Sequence, residues 1–161
     1  MPELGGRDEK REVLDRLGVY VSTPAGTSMR PMLRGERDNI RVEKCEGRLR
    51  RLDVALYCRR DGKHVLHRVV RVLENGYFMR GDNCDYTERN ITDDMIIGKL
   101  VGFWRGDRYI PVEKRSYRLY AHWRNFCYPF RFLRIRLTKL ARKTLSKSRF
   151  LRFVWRKMRG R

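Results

Sequence analysis

The sequence predicts an all-β domain of coiled or barrel-like sheet, introduced by a short helix and followed by a basic amphipathic helical tail. Three observations carry this. Short apolar, β-branched runs recur between residues 19 and 104, and such runs read as strands. They are punctuated by Glu46-Gly47, Asp61-Gly62, Glu74-Asn75-Gly76 and Arg105-Gly106-Asp107; the Asp-Gly and Asn-Gly pairs tolerate the positive φ that tight hairpins need. Beyond residue 112 the pattern changes, with apolar residues at helical spacing and Arg/Lys between them.

In chain order, Arg7 to Leu17 reads as a helix with Val13, Leu14 and Leu17 on one face and Gly18 as its stop. Strands are expected at Val19–Thr23, Asn39–Glu43, Val54–Arg59, His64–Leu73, Tyr77–Arg80 and Ile96–Trp104. In the tail, Phe126, Phe130, Leu133, Leu137, Leu140 and Ala141 keep helical spacing, as do Leu151, Val154, Trp155 and Met158. Pro129 is the expected helix start and Ser146-Lys147-Ser148 a break. This organisation gives three segments: an N-terminal helical segment (1–18), a β-domain (19–112) and a tail (113–161).

Charge separates the same parts. The 161 residues carry a formal +20, and 17 of the 39 basic residues but none of the 19 acidic ones lie from Lys114 onward. A nearly balanced domain thus carries a cationic appendage. Basic helices with Phe and Trp on their apolar side suit an anionic membrane surface, expected here through residues 129–161. Arginine interleaved with aromatics also suits single-stranded nucleic acid, a less favoured partner because the excess of basic residues is mostly confined to the tail, where the apolar spacing suits a lipid face. A third reading folds the tail's apolar stripe back onto the β-domain.

Cys45, Cys58, Cys84 and Cys127 are widely spaced, with no Cys-x-x-Cys pair and no histidine in zinc-finger register. Reduced thiols in a cytoplasmic protein are expected, with no metal site and no cofactor. No uncharged apolar run is long enough to span a bilayer, and Met1 to Arg11 is too polar for a secretory signal. The expected location is cytoplasmic, peripheral to the inner face of a membrane.

Gly26-Thr27-Ser28-Met29-Arg30-Pro31-Met32-Leu33 places a serine among turn residues, where its hydroxyl is exposed and its amide can point at a substrate carbonyl. After it come Gly35 to Asp38, Ile40-Arg41-Val42, Leu52 to Tyr57, His67-Arg68-Val69-Val70, Arg80-Gly81-Asp82-Asn83 and Ile96 to Gly102. Over roughly residues 20 to 105 this succession resembles the signal peptidase I family, in the branch where histidine replaces the general-base lysine. It is closest to short members without a membrane-spanning anchor. About 27 residues precede Ser28, too few for the helix-turn-helix domain of the related self-cleaving repressors.

The resemblance implies a serine endopeptidase that cleaves peptide or protein precursors, leader segments among them. Ser28 would be the nucleophile and His67 its base, since an imidazole with an ordinary pKa near ~6.5 is largely neutral at pH 7. Asp82 matches the family's acidic position; a further acid expected a few residues later is either Asp85 or Glu88. Thr27, Met29 and Pro31 are expected around the oxyanion and substrate. Gly26 stands where many relatives carry a hydroxyl for the oxyanion, so Thr27 or backbone groups would substitute. Asp38 and Asp53 read as turn and strand-entry residues, and His64 and His122 as surface residues. The competing class is a non-catalytic binding module with a cationic nucleic-acid-binding tail.

Overall fold

The computed structural model describes residues 5–130 together with 132, 133, 137, 138 and 140. The tail positions Ala141, Leu151, Val154, Trp155 and Met158, and the Ser146–Ser148 break, lie outside the described residues. The chain divides into two compact units, Met1–Asn125 and Phe126–Arg161. Among the described residues, no helix is long and apolar enough to cross a membrane, and the four cysteines are free.

The first unit is mostly β. Helix α1 (Gly5–Leu17) leads into strands β1 (Val19–Ser22), β2 (Asp38–Glu43), β3 (Val54–Cys58), β4 (His64–Leu73), β5 (Gly76–Arg80), β6 (Glu88–Ile91), β7 (Ile96–Arg105) and β8 (Arg108–Pro111). Helix α2 (Arg115–Phe126) follows. All pairings are antiparallel in one eight-stranded sheet of order β1-β2-β7-β3-β4-β5-β6, with β8 beside β7. Register shifts in β2–β7, β3–β7, β4–β5 and β5–β6 are the irregularities that let a long sheet coil.

Alternation along β4 fixes what each face carries. Ala55 pairs with His67 and Tyr57 with Val65, so these four share a face with Val69, over a core that also holds Tyr77, Met79 and Ile91. The other face takes Val54, Leu56, Cys58 and Leu66, packed with Met29, Met32 and Leu33 from the Ser28 loop and with Leu14 of α1. Leu14 is buried whereas Leu17, expected on the same helix face, is exposed, because α1 ends there and Gly18 turns the chain into β1.

The loop between β1 and β2 is held from both ends. Asp38 Oδ2 accepts the Arg34 amide at 2.9 Å, and Arg105 donates to the Met32 carbonyl at 2.6 Å. The Glu36 amide donates to the Pro24 carbonyl at 3.1 Å, which brings Gly35 against Gly26. A Cβ on Gly35 would stand 2.1 Å from the Gly26 carbonyl oxygen, so only glycine permits this approach. Gly35→Ala should therefore push the Ser28 loop away from the sheet, lowering stability by about 2 kcal/mol, read from the midpoint of denaturant unfolding.

Candidate functional site

Ser28 and His67 line one cleft of about 190 Å³, walled by Pro24, Ala25 and Gly26 after β1 and by His64, Val65 and Leu66 of β4. The bridge between them is Gly81. It follows Arg80, which pairs with Arg68, and so falls beside His67. A Cβ there would lie 2.7 Å from the Ser28 carbonyl oxygen, 2.9 Å from His67 Nε2 and 2.7 Å from Cys84 Sγ. Three groups from distant parts of the chain thus crowd one point that a side chain would fill. The Asn83 amide holds them there by donating to the Ser28 carbonyl at 2.6 Å. Among the described residues the Ser28 hydroxyl makes no hydrogen bond to the imidazole, a looseness common before substrate binds.

Behind the imidazole stands Glu88. His67 is 1 % exposed, and its Nδ1 lies 2.9 Å from Glu88 Oε1 and 3.1 Å from the Tyr57 hydroxyl. An ionised carboxylate only accepts, so Nδ1–H donates to it and the lone pair sits on Nε2, the nitrogen at the Gly81 point. Arg59 grips Glu88 as a fork, Nε to Oε2 at 2.7 Å and Nη2 to Oε1. Burial by itself would raise the Glu88 carboxyl, but the Arg59 and Tyr57 hydrogen bonds and the charges around it hold it below its ordinary value. For His67, burial dominates and pushes the pKa below the ordinary imidazole value, although Glu88 pulls it upward. The buried base is therefore neutral at pH 7. As pH falls through the ordinary histidine range the unfolded chain takes up a proton that folded His67 resists, so this residue withdraws stability on acidification.

Asp82 does different work. Its two carboxylate oxygens each take a 2.8 Å bond from Arg68, which is 2 % exposed, and Oδ2 also accepts from the Tyr120 hydroxyl at 2.9 Å. The Asp82 carbonyl takes two bonds from Arg124. The sequence resemblance puts the orienting acid at Asp82; the structure puts Glu88 against the imidazole and gives Asp82 to a buried guanidinium. The cause is strand alternation: consecutive β4 residues face opposite sides, so the partner of Arg68 is kept from the Nδ1 side of His67. Glu88 pairs with Met79 on β5 and shares the face of Met79 and Val69, which is the His67 face.

The remaining expected residues scatter. Met29 lines the cleft and is buried; Thr27 and Pro31 are exposed on the turn and do not line it. Thr27 instead accepts the Arg30 amide through its carbonyl. His64 lines the cleft, half-buried, where a surface position is expected. His122 is exposed on α2. Asp85 is half-buried in the β5–β6 loop. Asp53 accepts the Arg50 amide at 2.8 Å, a turn role. Sequence reasoning misses Tyr57, Arg59 and the Cys84 thiol, which lies 3.9 Å from His67 Nε2. Only the Ala55-to-His67 pairing reveals Tyr57, and pairing register is not written in a short apolar run.

The chain matches no family model, no curated protein and no solved structure.

The two carboxylates should separate cleanly on mutation. Asp82→Ala leaves Arg68 buried and unpaired, an expected loss of about 3–5 kcal/mol, measured as a fall of roughly 10 °C or more in thermal midpoint. Glu88→Gln, isosteric and partly exposed, should shift that midpoint far less.

Proposed function

We propose that the chain is a signal-peptidase-like serine endopeptidase acting through Ser28, His67 and Glu88 on peptide or protein precursors. The observation that carries this is the convergence at Gly81: the Ser28 loop and the unprotonated Nε2 of His67 meet in an open cleft, with an ionised acid behind Nδ1. Neutral His67 takes the Ser28 proton as Oγ attacks the scissile carbonyl, and Glu88 stabilises the imidazolium that forms. The imidazolium then protonates the leaving amine, and water, activated by the same imidazole, hydrolyses the acyl-enzyme. The backbone amide of Ser28 would donate to the oxyanion, since Gly26 supplies no hydroxyl.

The cleft's two backbone walls suit an extended substrate. Residues 24–26 continue from β1, an end strand of the sheet, and residues 64–66 open β4. A chain laid between them gains main-chain hydrogen bonds, with side chains alternating into and away from the site. A peptide leader without fixed structure can reach that extended conformation, its ordering entropy offset by the main-chain hydrogen bonds it makes.

Cys84 is the competing nucleophile, being nearer to Nε2 than a random thiol has reason to be. Burial raises its thiol above the ordinary value, which keeps it protonated and poorly reactive at neutral pH. An acylating lipopeptide or β-lactam-type probe followed by peptide mapping tests the assignment. The adduct should fall on Ser28, vanish in Ser28→Ala and in His67→Ala, and persist in Cys84→Ala. An adduct on Cys84 that survives Ser28→Ala would overturn it.

The rate should also report on the base. With a cognate peptide, kcat/KM should fall on the acidic side with an apparent pKa below the ordinary histidine value near ~6.5. In Glu88→Gln the loss of the carboxylate, which pulls the His67 pKa upward, lowers it further while Arg59 stays beside it. That limb should move to still lower pH, while the plateau drops on the order of 10²–10⁴-fold because the imidazole loses its orienting acceptor.

A further inference from the structure

Helix α2 presents opposite characters on its two sides. Its inner side is fastened to the sheet: Tyr117 and Ala121 are buried, the Tyr120 hydroxyl donates to Asp82, and Arg124 clasps the Asp82 carbonyl. Leu119, Trp123 and Phe126 fall elsewhere on the helix and are 71 %, 65 % and 66 % exposed. Helix α2 thus lies back on the β-domain through Tyr117, Tyr120 and Ala121, while Leu119 and Trp123 stay exposed.

The apolar residues do not stop at α2. Phe130, Leu133, Leu137 and Leu140 in the second unit are also exposed, and from Leu119 to Leu140 the sequence spacing alternates strictly between four and three, the repeat of an amphipathic helical stripe. Beside the α2 residues lies a cleft of about 370 Å³ whose charged lining is Arg50 and Arg51 from the β2–β3 connection, Arg118 of α2, the Lys99–Asp53 ion pair and Glu113, so that three arginines face one carboxylate outside that pair. The three arginines are exposed, and position 118 lies about 100° around the helix from 119.

We propose that this face docks on a bilayer containing anionic phospholipid, with Leu119, Trp123 and Phe126 entering the headgroup–acyl boundary and a lipid phosphate seated at the Arg50/Arg51/Arg118 cleft. Charge selects this occupant. The chain from residue 114 onward is basic without one acidic residue, so a second copy would be repelled along the very stripe that a coiled-coil dimer needs. An anionic surface is attracted instead, by roughly 1 kcal/mol for each Lys/Arg near the headgroups. Nucleic acid would use the charge but leave three large apolar side chains in water. The proposal stands whether or not Ser28 is a nucleophile.

The test is flotation of the full chain with phosphatidylcholine vesicles, with or without about a third phosphatidylglycerol. Binding is expected to be at least about tenfold stronger with phosphatidylglycerol than without it, with a blue shift of Trp123 emission in a Trp104→Phe, Trp155→Phe variant. Leu119→Ser with Trp123→Ser keeps the charge and removes mostly exposed apolar surface, so the thermal midpoint should move little while the partition falls about tenfold or more. Arg50→Gln with Arg51→Gln should weaken binding and its preference for the anionic lipid. Part of the wild-type binding should survive about 0.5 M salt, because apolar insertion is not screened. Unchanged partition of the serine variant, loss of all binding in salt, oligonucleotide binding without vesicle binding, or a dimer that the serine variant dissolves would each overturn the proposal.

Discussion

The guanidinium of Arg68 is the constraint from which the site's geometry follows. Almost wholly buried, it bonds both oxygens of Asp82, the Leu52 carbonyl, the Met32 sulfur and the Tyr117 hydroxyl. Those partners belong to the β5–β6 loop, the turn before β3, the Ser28 loop and α2. A buried charge cannot be left unmatched without a penalty of several kcal/mol, so the four segments are obliged to meet around it. Ser28 and Gly81 are carried by two of them. The catalytic reading proposed for Ser28 therefore depends on a residue that touches neither nucleophile nor base.

Adjacency in the chain then does the rest. His67 and Arg68 are neighbours on β4, and pleating sends them to opposite faces. One face becomes the anchorage, with Asp82 and α2; the other holds the imidazole, Tyr57, Glu88 and Arg59. Two consecutive residues thus tie a buried ion pair to a buried imidazole without placing the ion pair's carboxylate in contact with Nδ1. Glu88 is kept ionised by its own arginine, so the two arginine–carboxylate pairs, Arg68–Asp82 and Arg59–Glu88, serve separate ends.

Much of this was legible in residues. His64–Leu73 coincides with β4, and the Asp61-Gly62 and Asn75-Gly76 turns flank it, since β-branched runs and positive-φ dipeptides are local signals. β6 and β8 were not, because Glu88-Arg89-Asn90-Ile91 and Arg108-Tyr109-Ile110-Pro111 show little apolar alternation. β6 ends the sheet and β8 pairs only part of β7, positions where strands need not be buried on either face. The start of α2 was hidden for a related reason. Its inward residues include Tyr117, which accepts from Arg68, and Tyr120 and Arg124, which donate to Asp82; such polar-tipped groups do not announce a core-facing stripe. The choice among Asp82, Asp85 and Glu88 required the β5–β6 register, a long-range property that no window of sequence contains.

The cationic tail and the cleft look like separate inventions in the sequence, and α2 is where they cease to be separate. Arg124 holds the carbonyl of Asp82 while the next amide, Asn83 N–H, holds the carbonyl of Ser28. Two hydrogen bonds and one intervening peptide unit thus connect the helix with the exposed Leu119 and Trp123 to the residue proposed as nucleophile. A force that displaced α2 would be felt at the Ser28 carbonyl through this link and on β4 and β5 through the Arg68–Tyr117 and Arg80–Asn125 bonds. One surface of the helix is thus tied to the loop that carries Ser28 beside His67, while Leu119 and Trp123 stay exposed elsewhere on it.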